Sequence, residues 1–207
     1  MTVSKDKYIT KPLYDELKDG TKVTILPFNS FEETPNNVVN MIFELFNEII
    51  DEGITYVQED QVDMKEFKDY YFPHFVAVMF KGVIKEEDRL NNHLDIKIGG
   101  KNEFLGCFYI KPNYIGRSNH ICNAGFLVSF NNRGKSCGSV MGRNYLKLAP
   151  LLGFKSSVFN LVYESNIASC RIWDNLGFDR IGRIPKAGRM KGGNELVDAV
   201  MFGYQFE

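Results

Sequence analysis

The sequence predicts a mixed α/β fold in which helices flank a central, mostly antiparallel sheet. Three observations lead to this prediction. Short apolar runs such as residues 74–80 are typical of buried strands. Amphipathic runs that carry capping signals indicate helices between the strands. Two consecutive strands, 104–110 and 121–128, are joined by a short turn, which favours an antiparallel pair.

Each element in the first half of the chain has its own local signal. The strand at 21–26 alternates polar and apolar residues and stops at a proline. The next helix begins at Thr34-Pro35, a cap followed by a first-turn proline, and closes at Gly53. A shorter helix, 64–71, is expected to end before the following proline.

The second half adds two helices and the remaining strands. Apolar residues from Gly134 to Leu152 recur at steps of three and four, and Pro150 is expected to kink or tighten the last turn. Asn166 caps a further helix, which ends at Gly177. The predicted elements are strands 21–26, 74–80, 104–110, 121–128, 156–163, 178–184 and 197–206, and helices 34–53, 64–71, 134–152 and 166–177.

The domain organisation is expected to be simple. Residues 1–20 are charged and irregular, and we interpret them as an N-terminal arm. Residues 21–207 contain no repeat, low-complexity segment or linker, so they are predicted to form a single domain. The charged, Asn-rich segment 85–97 is the one stretch that resembles a mobile loop insertion.

Composition and charge exclude several classes of protein. The 207 residues carry a formal net charge of -1, whereas non-specific nucleic-acid binding needs many phosphate-neutralising Lys and Arg side chains. No apolar run approaches the length of a membrane span, and residues 1–6 are polar. The four cysteines and three histidines are too scattered to suggest a metal site. We therefore expect an intracellular protein, cytoplasmic with mitochondrial association as an alternative, that binds no nucleic acid, membrane or metal.

One stretch of the chain predicts an anion site. The strand 121–128 delivers its end to a short polar linker, and residues 133–138 then open a helix with the sequence Arg-Gly-Lys-Ser-Cys-Gly. Free backbone N–H groups and the positive end of a helix dipole meet at such a point, and glycine lets an anion approach. On this motif alone, an ordinary helix start with a solvated Arg133 is an equally good interpretation.

A second motif gives the first one a specific meaning. Asn166-x-x-Ser169-x-x-x-Trp173-x-x-x-Gly177-Phe178, together with the Arg-x-x-small-x-Gly loop, resembles the GNAT superfamily of N-acetyltransferases. The resemblance implies a GNAT-like fold, acetyl-CoA as cofactor, a pyrophosphate on the loop and Asn166 against the pantetheine arm. The cofactor-binding residues that it implies are Phe126, Val128, Arg133, Gly134, Lys135, Ser136, Cys137, Gly138 and Asn166.

Two positions depart from the family pattern. Ser136 stands where the family usually has glycine, although serine is small enough to be accommodated. Trp173 stands where the family often has the tyrosine that protonates the departing thiolate. An indole N–H has no accessible acid pKa, so that role cannot be transferred to Trp173. A thiolate is a fair leaving group near neutral pH, and we interpret Trp173 as a helix residue buried against the sheet.

A narrower resemblance concerns the acceptor. The stretches 108–114, 122–128, 149–153, 159–162 and 180–182 resemble the yeast N-acetyltransferases that detoxify proline analogues such as azetidine-2-carboxylate. This resemblance implies a small imino-acid acceptor, or a proline-pathway intermediate, and a homodimer. It also places the two candidate catalytic residues, Asn123 and Asn160, at the substrate. Both lie in apolar strands, where an unpaired amide is costly, so satisfying a strand bulge is their alternative role.

The expected mechanism is direct acetyl transfer. Strand N–H groups near residues 125–127 would polarise the thioester oxygen, and the acceptor amine would attack in its neutral form. Glu164, His120 or a water chain are the candidate bases, and Cys122 is interpreted as core rather than as an acyl-relay nucleophile.

Two other functions remain open from the sequence. A peptide or protein N-acetyltransferase of the same superfamily would need an open groove for its substrate. Such a groove is often lined with acidic residues when the substrate is basic. The acidic residues of this chain form no dominant cluster. A non-catalytic acyl-CoA-binding module would account for Trp173 and Ser136.

Overall fold

The computed structural model describes residues 7–85 and 103–206 as one eight-stranded sheet with four helices. Most of the predicted loop insertion at 85–97 lies outside these residues. The strands are β1 Leu13–Glu16, β2 Lys22–Phe28, β3 Phe75–Lys81, β4 Phe104–Pro112, β5 Ile121–Val128, β6 Ser156–Tyr163, β7 Asp179–Arg189 and β8 Leu196–Gln205. The helices are α1 Asn36–Glu52, α2 Met64–Tyr71, α3 Cys137–Leu151 and α4 Ile167–Asn175.

The sheet has the strand order β1-β2-β3-β4-β5-β6-β8-β7, and all pairs but one are antiparallel. The exception is the parallel pair β5–β6, which is in register only at Ile121–Ser156 and Cys122–Ser157. Beyond these two positions the strands are no longer paired. The predicted mixed α/β fold with a mostly antiparallel sheet is confirmed, and the sheet is split at its centre.

Helices cover both faces of the split sheet. Helices α1 and α2 pack on one face, where Phe46 and Phe67 are fully buried. Helices α3 and α4 pack on the other face through side chains such as Met141 and Trp173. The apolar side of each helix therefore packs against the sheet. Helices from both faces of the sheet border the gap between β5 and β6.

The N-terminal segment corrects the prediction of an irregular arm over residues 1–20. Residues 13–16 form the edge strand β1, and Asp15 binds helix α3. The Asp15 carboxylate accepts hydrogen bonds from Arg143 at 2.9 and 2.6 Å and from Asn144 at 2.7 Å. Burial alone would raise the pKa of Asp15, but these hydrogen bonds outweigh it and hold that pKa well below its usual range. Part of the arm is thus built into the domain.

Several predicted boundaries also differ from the structure. Strand β7, predicted over 178–184, extends to Arg189, and helix α3, predicted from Gly134, begins at Cys137. Helix α1 starts two residues after Thr34, whose hydroxyl donates to Ser30 at 2.9 Å instead of capping the helix.

Strand β2 continues through Pro27, which pairs with Ala77 of β3. Strand β1 pairs with β2 only as far as Ile25, which is opposite Leu13, so Pro27 lies beyond this ladder and its missing N–H leaves no gap there.

Candidate active site

A cavity of about 290 Å³ lies where β5 and β6 separate. Because the two strands are unpaired there, their side chains and backbone face open space rather than a neighbouring strand. The loop between α1 and α2 covers the cavity from one side. The lining residues are Thr55, Tyr56, Val57, Tyr70, Tyr109, Asn123–Phe126, Phe159–Tyr163, Asn166, Ser169 and Trp173.

Asn123 lies at the point where the two strands part. Its Nδ2 donates to the carbonyl oxygen of Val158 on β6 at 2.9 Å. Val158 is the first β6 residue without a partner on β5, so the amide replaces the ladder hydrogen bond that is lost there. This structural role differs from the strand bulge considered from the sequence, because β5 pairs with β4 through Asn123 without a register shift. The same residue also lines the cavity.

Asn160 sits in an irregularity of β6. The register between β6 and β8 shifts between Phe159 and Val162, which is typical of the bulges that re-aim side chains beside active sites. Asn160 exchanges two hydrogen bonds with Asn113, at 2.9 and 2.6 Å. This amide pair joins the end of the β4 hairpin to β6 on the cavity rim, and the sequence did not single out Asn113.

The α4 side of the cavity is apolar. The Trp173 ring lies 4.8 Å from the ring of Phe126 and 4.6 Å from that of Phe159, measured between centroids. Its indole N–H donates to the Ser169 hydroxyl at 2.9 Å. Trp173 is thus the buried helix residue that we predicted, and its only polar hydrogen already has an acceptor. Asn166 caps α4 by accepting a hydrogen bond from the Ser169 N–H at 3.1 Å, and it also lines the cavity.

The α1–α2 side of the cavity is built from tyrosines. The Tyr70 and Tyr109 hydroxyls lie 3.4 Å apart, and the Lys111 ammonium stands over both rings at 3.9 and 4.3 Å from their centroids. Burial lowers the pKa of Lys111 to about 8. No spacing rule connects these residues, which come from a helix and a strand, so the sequence alone did not reveal the group.

Gly125 makes the closest approach between these tyrosines and β5. A Cβ atom at this position would lie 2.5 Å from the Tyr109 ring and 2.5 Å from the Tyr56 hydroxyl oxygen. Only glycine leaves room for both rings against the strand. The strand backbone and the phenol groups are therefore brought together in one wall of the cavity.

The turn between β7 and β8 is fastened to the loop that covers the cavity. The Lys191 N–H donates to the Gly53 carbonyl at 2.9 Å, and its ammonium binds the Asp51 carboxylate at 3.0 Å. The start of the α1–α2 loop is thereby held to the far side of the sheet.

The predicted anion loop leads from β5 into helix α3. Gly134 and Ser136 both adopt the left-handed conformation, with φ of 76° and 65°. The first N–H groups of α3, from Cys137 onward, have no partners within the helix. A Cβ at Gly134 would meet no atom within 4 Å, so the approach to the loop is open. Backbone N–H groups, the helix dipole and this free space fit a pyrophosphate.

The side chains of this loop have other partners. The Arg133 guanidinium forms a bidentate ion pair with Glu52 at 2.6 and 2.8 Å and stacks on the Phe130 ring. The guanidinium that the family resemblance implies for cofactor binding is thus held by Glu52 in this structure. The Ser136 hydroxyl accepts a hydrogen bond from the Lys18 N–H at 2.9 Å, and Lys135 donates to Asn132 at 3.3 Å.

Three predicted cofactor residues also have structural roles. Cys137 is buried in the core below the loop. A Cβ at Gly138 would lie 2.7 Å from the Ile172 Cδ1 atom, so this glycine permits close packing of α3 on α4. Val128 pairs with Gly106 at the last position of β5.

The sequence-derived base candidates do not lie in the cavity. Glu164 is paired with Arg183 at 2.9 and 3.1 Å, and neither Glu164 nor His120 lines the cavity. Burial raises the pKa of Cys122 to about 12, and its sulfur contacts the Tyr145 hydroxyl at 3.0 Å. Cys122 therefore packs as core and is a poor nucleophile. Among the described residues, those that line the cavity include no Asp, Glu or His.

Within the part of the chain that the structure describes, no helix has both the length and the apolar character needed to cross a membrane. The same residues bring together no group of His, Cys, Asp and Glu side chains suited to a metal ion.

Solved structures identify the fold. The chain superimposes on a GCN5-related N-acetyltransferase from Kribbella flavida with a TM-score of 0.68, at 20% identity over 87% of this chain and 97% of that one. The acetyltransferase yncA of Salmonella typhimurium, solved with its cofactor acetyl-CoA, gives a TM-score of 0.67 at 14% identity, covering 88% of this chain and 94% of that one. A split sheet with an anion loop at the end of its central strand is thus the GNAT fold.

Sequence relatives give the family. N-acetyltransferase aca1 of Schizosaccharomyces pombe is 45% identical over 157 residues, which cover 76% of this chain and 75% of that protein. Protein SPT10 of Saccharomyces cerevisiae is 30% identical over 92% of this chain, which spans only 35% of SPT10. No family model matches the chain. The chain belongs to the GNAT superfamily of N-acetyltransferases.

Proposed function

We propose that the protein transfers an acetyl group from acetyl-CoA to the secondary amine of a small, proline-like imino acid. One observation carries this proposal: the cavity of about 290 Å³ at the split is lined by neutral amides, tyrosines and apolar side chains. That volume is at the lower limit of small-molecule sites. The described lining offers no carboxylate to pair with the ammonium group of a lysine side chain, whereas an imino acid carries its own carboxylate beside the amine.

Different residues would bind the cofactor and position its thioester. The loop 133–138 and the start of α3 would hold the pyrophosphate of acetyl-CoA, and Asn166 its pantetheine arm. The bound cofactor supplies the electrophilic thioester carbonyl. N–H groups of β5 that face the split, near Gly125–Leu127, would hydrogen-bond the oxygen of that carbonyl.

Asn123 and Asn160 would hold the acceptor, each from one side of the split. Its amine enters the cavity neutral, because no side chain of the lining can serve as a base near pH 7. In the transfer, the amine nitrogen would replace the sulfur on the acetyl carbon, the proton of the amine would pass to water, and CoA would leave as a thiolate. Trp173 donates no proton to it, since its indole N–H is bound to Ser169.

The direct test is thiol release from acetyl-CoA with four acceptors in parallel: azetidine-2-carboxylate, proline, 4-hydroxyproline and a lysine peptide. Mass spectrometry of the products identifies what is acetylated. Turnover confined to the cyclic imino acids supports the proposal. Turnover of the peptide alone would instead indicate a protein acetyltransferase, and acetyl-CoA binding without any turnover would indicate a non-catalytic module.

Removing the amides should impair acceptor use without unfolding the protein. We expect Asn160→Ala and Asn123→Ala each to lower kcat/KM for the imino acid by about 10- to 100-fold, because a hydrogen bond to a charged group is worth about 1.5–3 kcal/mol. Asn175→Ala, on the exposed end of α4, is the matched control. Initial rates at varied acceptor concentration measure the effect, and wild-type kinetics in both variants would contradict the assignment.

The left-handed conformation of Ser136 gives a test of the cofactor loop. We expect Ser136→Val to weaken CoA binding about 10-fold, because a β-branched residue at a φ of 65° is strained by about 1–2 kcal/mol and shifts the loop. Ser136→Gly adopts the same φ without strain and should bind CoA as the wild type does. Calorimetric titration measures both affinities. Equal affinity of the two variants would argue against a pyrophosphate on this loop.

We also propose, from the family resemblance, that the protein is a cytoplasmic homodimer. Exposed apolar side chains at the β7 edge support an association: Ile181 is 53% exposed and Leu196 is 47% exposed. Light scattering coupled to size exclusion tests the oligomeric state. A monomer at micromolar concentration would reject it.

A further inference from the structure

Tyr56 carries an unsatisfied polar atom inside the cavity. Its hydroxyl is buried, and among the described residues it has no hydrogen-bond partner. Burying a hydroxyl without a partner is unfavourable, so such atoms in a folded protein call for an explanation. The Tyr70 and Tyr109 hydroxyls lie within 3.4 Å of each other, which leaves Tyr56 as the member of this group that lacks a partner.

The position of this hydroxyl is fixed by packing. The Tyr56 ring contacts the buried Phe46 ring edge to face, with 5.2 Å between centroids. Its oxygen lies against Gly125 on β5, where a Cβ atom would be only 2.5 Å away. The hydroxyl therefore faces the wall of the cavity beside the proposed site of acetyl transfer, and it cannot swing freely to another acceptor.

The positive charge of Lys111, next to Tyr70 and Tyr109, favours an anion in this part of the cavity. Lys111 is half-buried, its ammonium donates to the Tyr70 carbonyl at 2.8 Å, and no described carboxylate lies within ion-pair distance of it. In the β4–β5 register, Lys111 is opposite Asn123 and Tyr109 is opposite Gly125, so these four positions share one face of the sheet.

The protonation state of Tyr56 fits a donor. Burial, with smaller contributions from the neighbouring Tyr109 and Tyr70, raises the pKa of Tyr56 well above its usual value. The group therefore keeps its proton and can donate, but it cannot act as a base near neutral pH. What completes this site is an oxygen that accepts a hydrogen bond and tolerates a nearby cation.

We propose that the Tyr56 O–H donates to the carboxylate of the acceptor and that the Lys111 charge behind Tyr70 and Tyr109 favours this anion, so that the site selects amines bearing a carboxylate. The inference rests on the proposed function and specifies its substrate class. A carboxylate accepts several hydrogen bonds at once, so Tyr56 adds to the contacts of Asn123 and Asn160 and does not replace them.

The test compares two acceptors that differ only in the carboxylate. Azetidine-2-carboxylate and azetidine are offered to the wild type and to Tyr56→Phe. We expect Tyr56→Phe to raise KM for the acid about 10- to 30-fold, to change its kcat by less than about 2-fold, and to leave azetidine kinetics unchanged. Lys111→Met should raise KM for the acid alone. Tyr14→Phe, which removes an exposed hydroxyl bound to Ile84, is the matched control.

Each result is decisive. An equal fall in kcat with both acceptors would overturn the inference, since Tyr56 would then act on the acetyl carbonyl. Unchanged kinetics in Tyr56→Phe, with an active wild type, would overturn the inference and leave the proposed function standing. A wild type that acetylates only the lysine peptide would overturn both.

Discussion

Gly125→Ala is expected to lower kcat/KM for the imino acid by at least about 100-fold. A displacement of about 1 Å in the residues that position the reacting groups can have an effect of that size. The new methyl group would lie 2.5 Å from both the Tyr109 ring and the Tyr56 hydroxyl oxygen. Tyr109 is buried and the Tyr56 ring is packed on Phe46, so neither can retreat without disturbing the cavity. The oxyanion contacts and the acceptor contacts should therefore be lost together.

A second glycine provides the control for this substitution. Gly182 on β7 would place its Cβ 3.3 Å from the sulfur of Met201, which is a flexible side chain that can move. Gly182→Ala should keep wild-type kinetics. Thermal unfolding and CoA titration of both variants show whether the fold and the cofactor loop persist. Wild-type turnover in Gly125→Ala would refute the placement of acetyl transfer beside this residue.

The rate should depend on pH through the acceptor rather than through an enzymic base. We expect kcat/KM to rise about 100-fold between pH 6 and pH 8, since the neutral fraction of an amine with a pKa near 10 grows tenfold per pH unit. The ionisable side chains of the lining are tyrosines. Burial raises the pKa of Tyr56, Tyr109 and Tyr163, so none of these loses its proton in this range.

Lys111 should modify this profile above pH 8. Burial lowers its pKa to about 8, so its positive charge is present below that pH and is lost as the pH rises through it. The wild-type curve should therefore fall below unit slope above pH 8, as carboxylate binding weakens. Lys111→Met has no charge to lose and should keep unit slope at a lower absolute rate. A plateau of the wild-type rate below pH 7 would contradict this scheme and indicate a base with a lower pKa.

Local signals were sufficient for many elements. The bounds predicted for α2, 64–71, agree with the structure, where Asp63 and Glu66 form a reciprocal capping box. The bounds 121–128 and 156–163 of β5 and β6 also agree, because each apolar run ends at a turn. Gly53 ends α1 in the left-handed conformation expected of a helix-closing glycine.

Features that depend on the pairing of strands could not be predicted from the sequence. Strand β1 is four residues long, and its polar side chains become strand-forming only through pairing with β2 and the bonds from Asp15 to α3. Pro27 was predicted to end the strand. A proline is tolerated at this position only because β1 does not extend opposite it, and the sequence does not show how far β1 extends. The partner of Asn160, Asn113, lies 47 residues away and is brought close by the sheet alone.

The sequence by itself determined the mixed α/β class and the approximate positions of most elements, because these depend on neighbours within a few turns. It also predicted the anion loop from a motif with fixed spacing, and the two amides from the family resemblance. Tertiary structure alone decided that β5 and β6 part after Cys122 and that Arg133 binds Glu52. It also decided that the Tyr56 hydroxyl lies against Gly125 with no hydrogen-bond partner among the described residues. These features arise where separate elements meet, and the distances, burial and charges that set their chemistry exist only after the chain has folded.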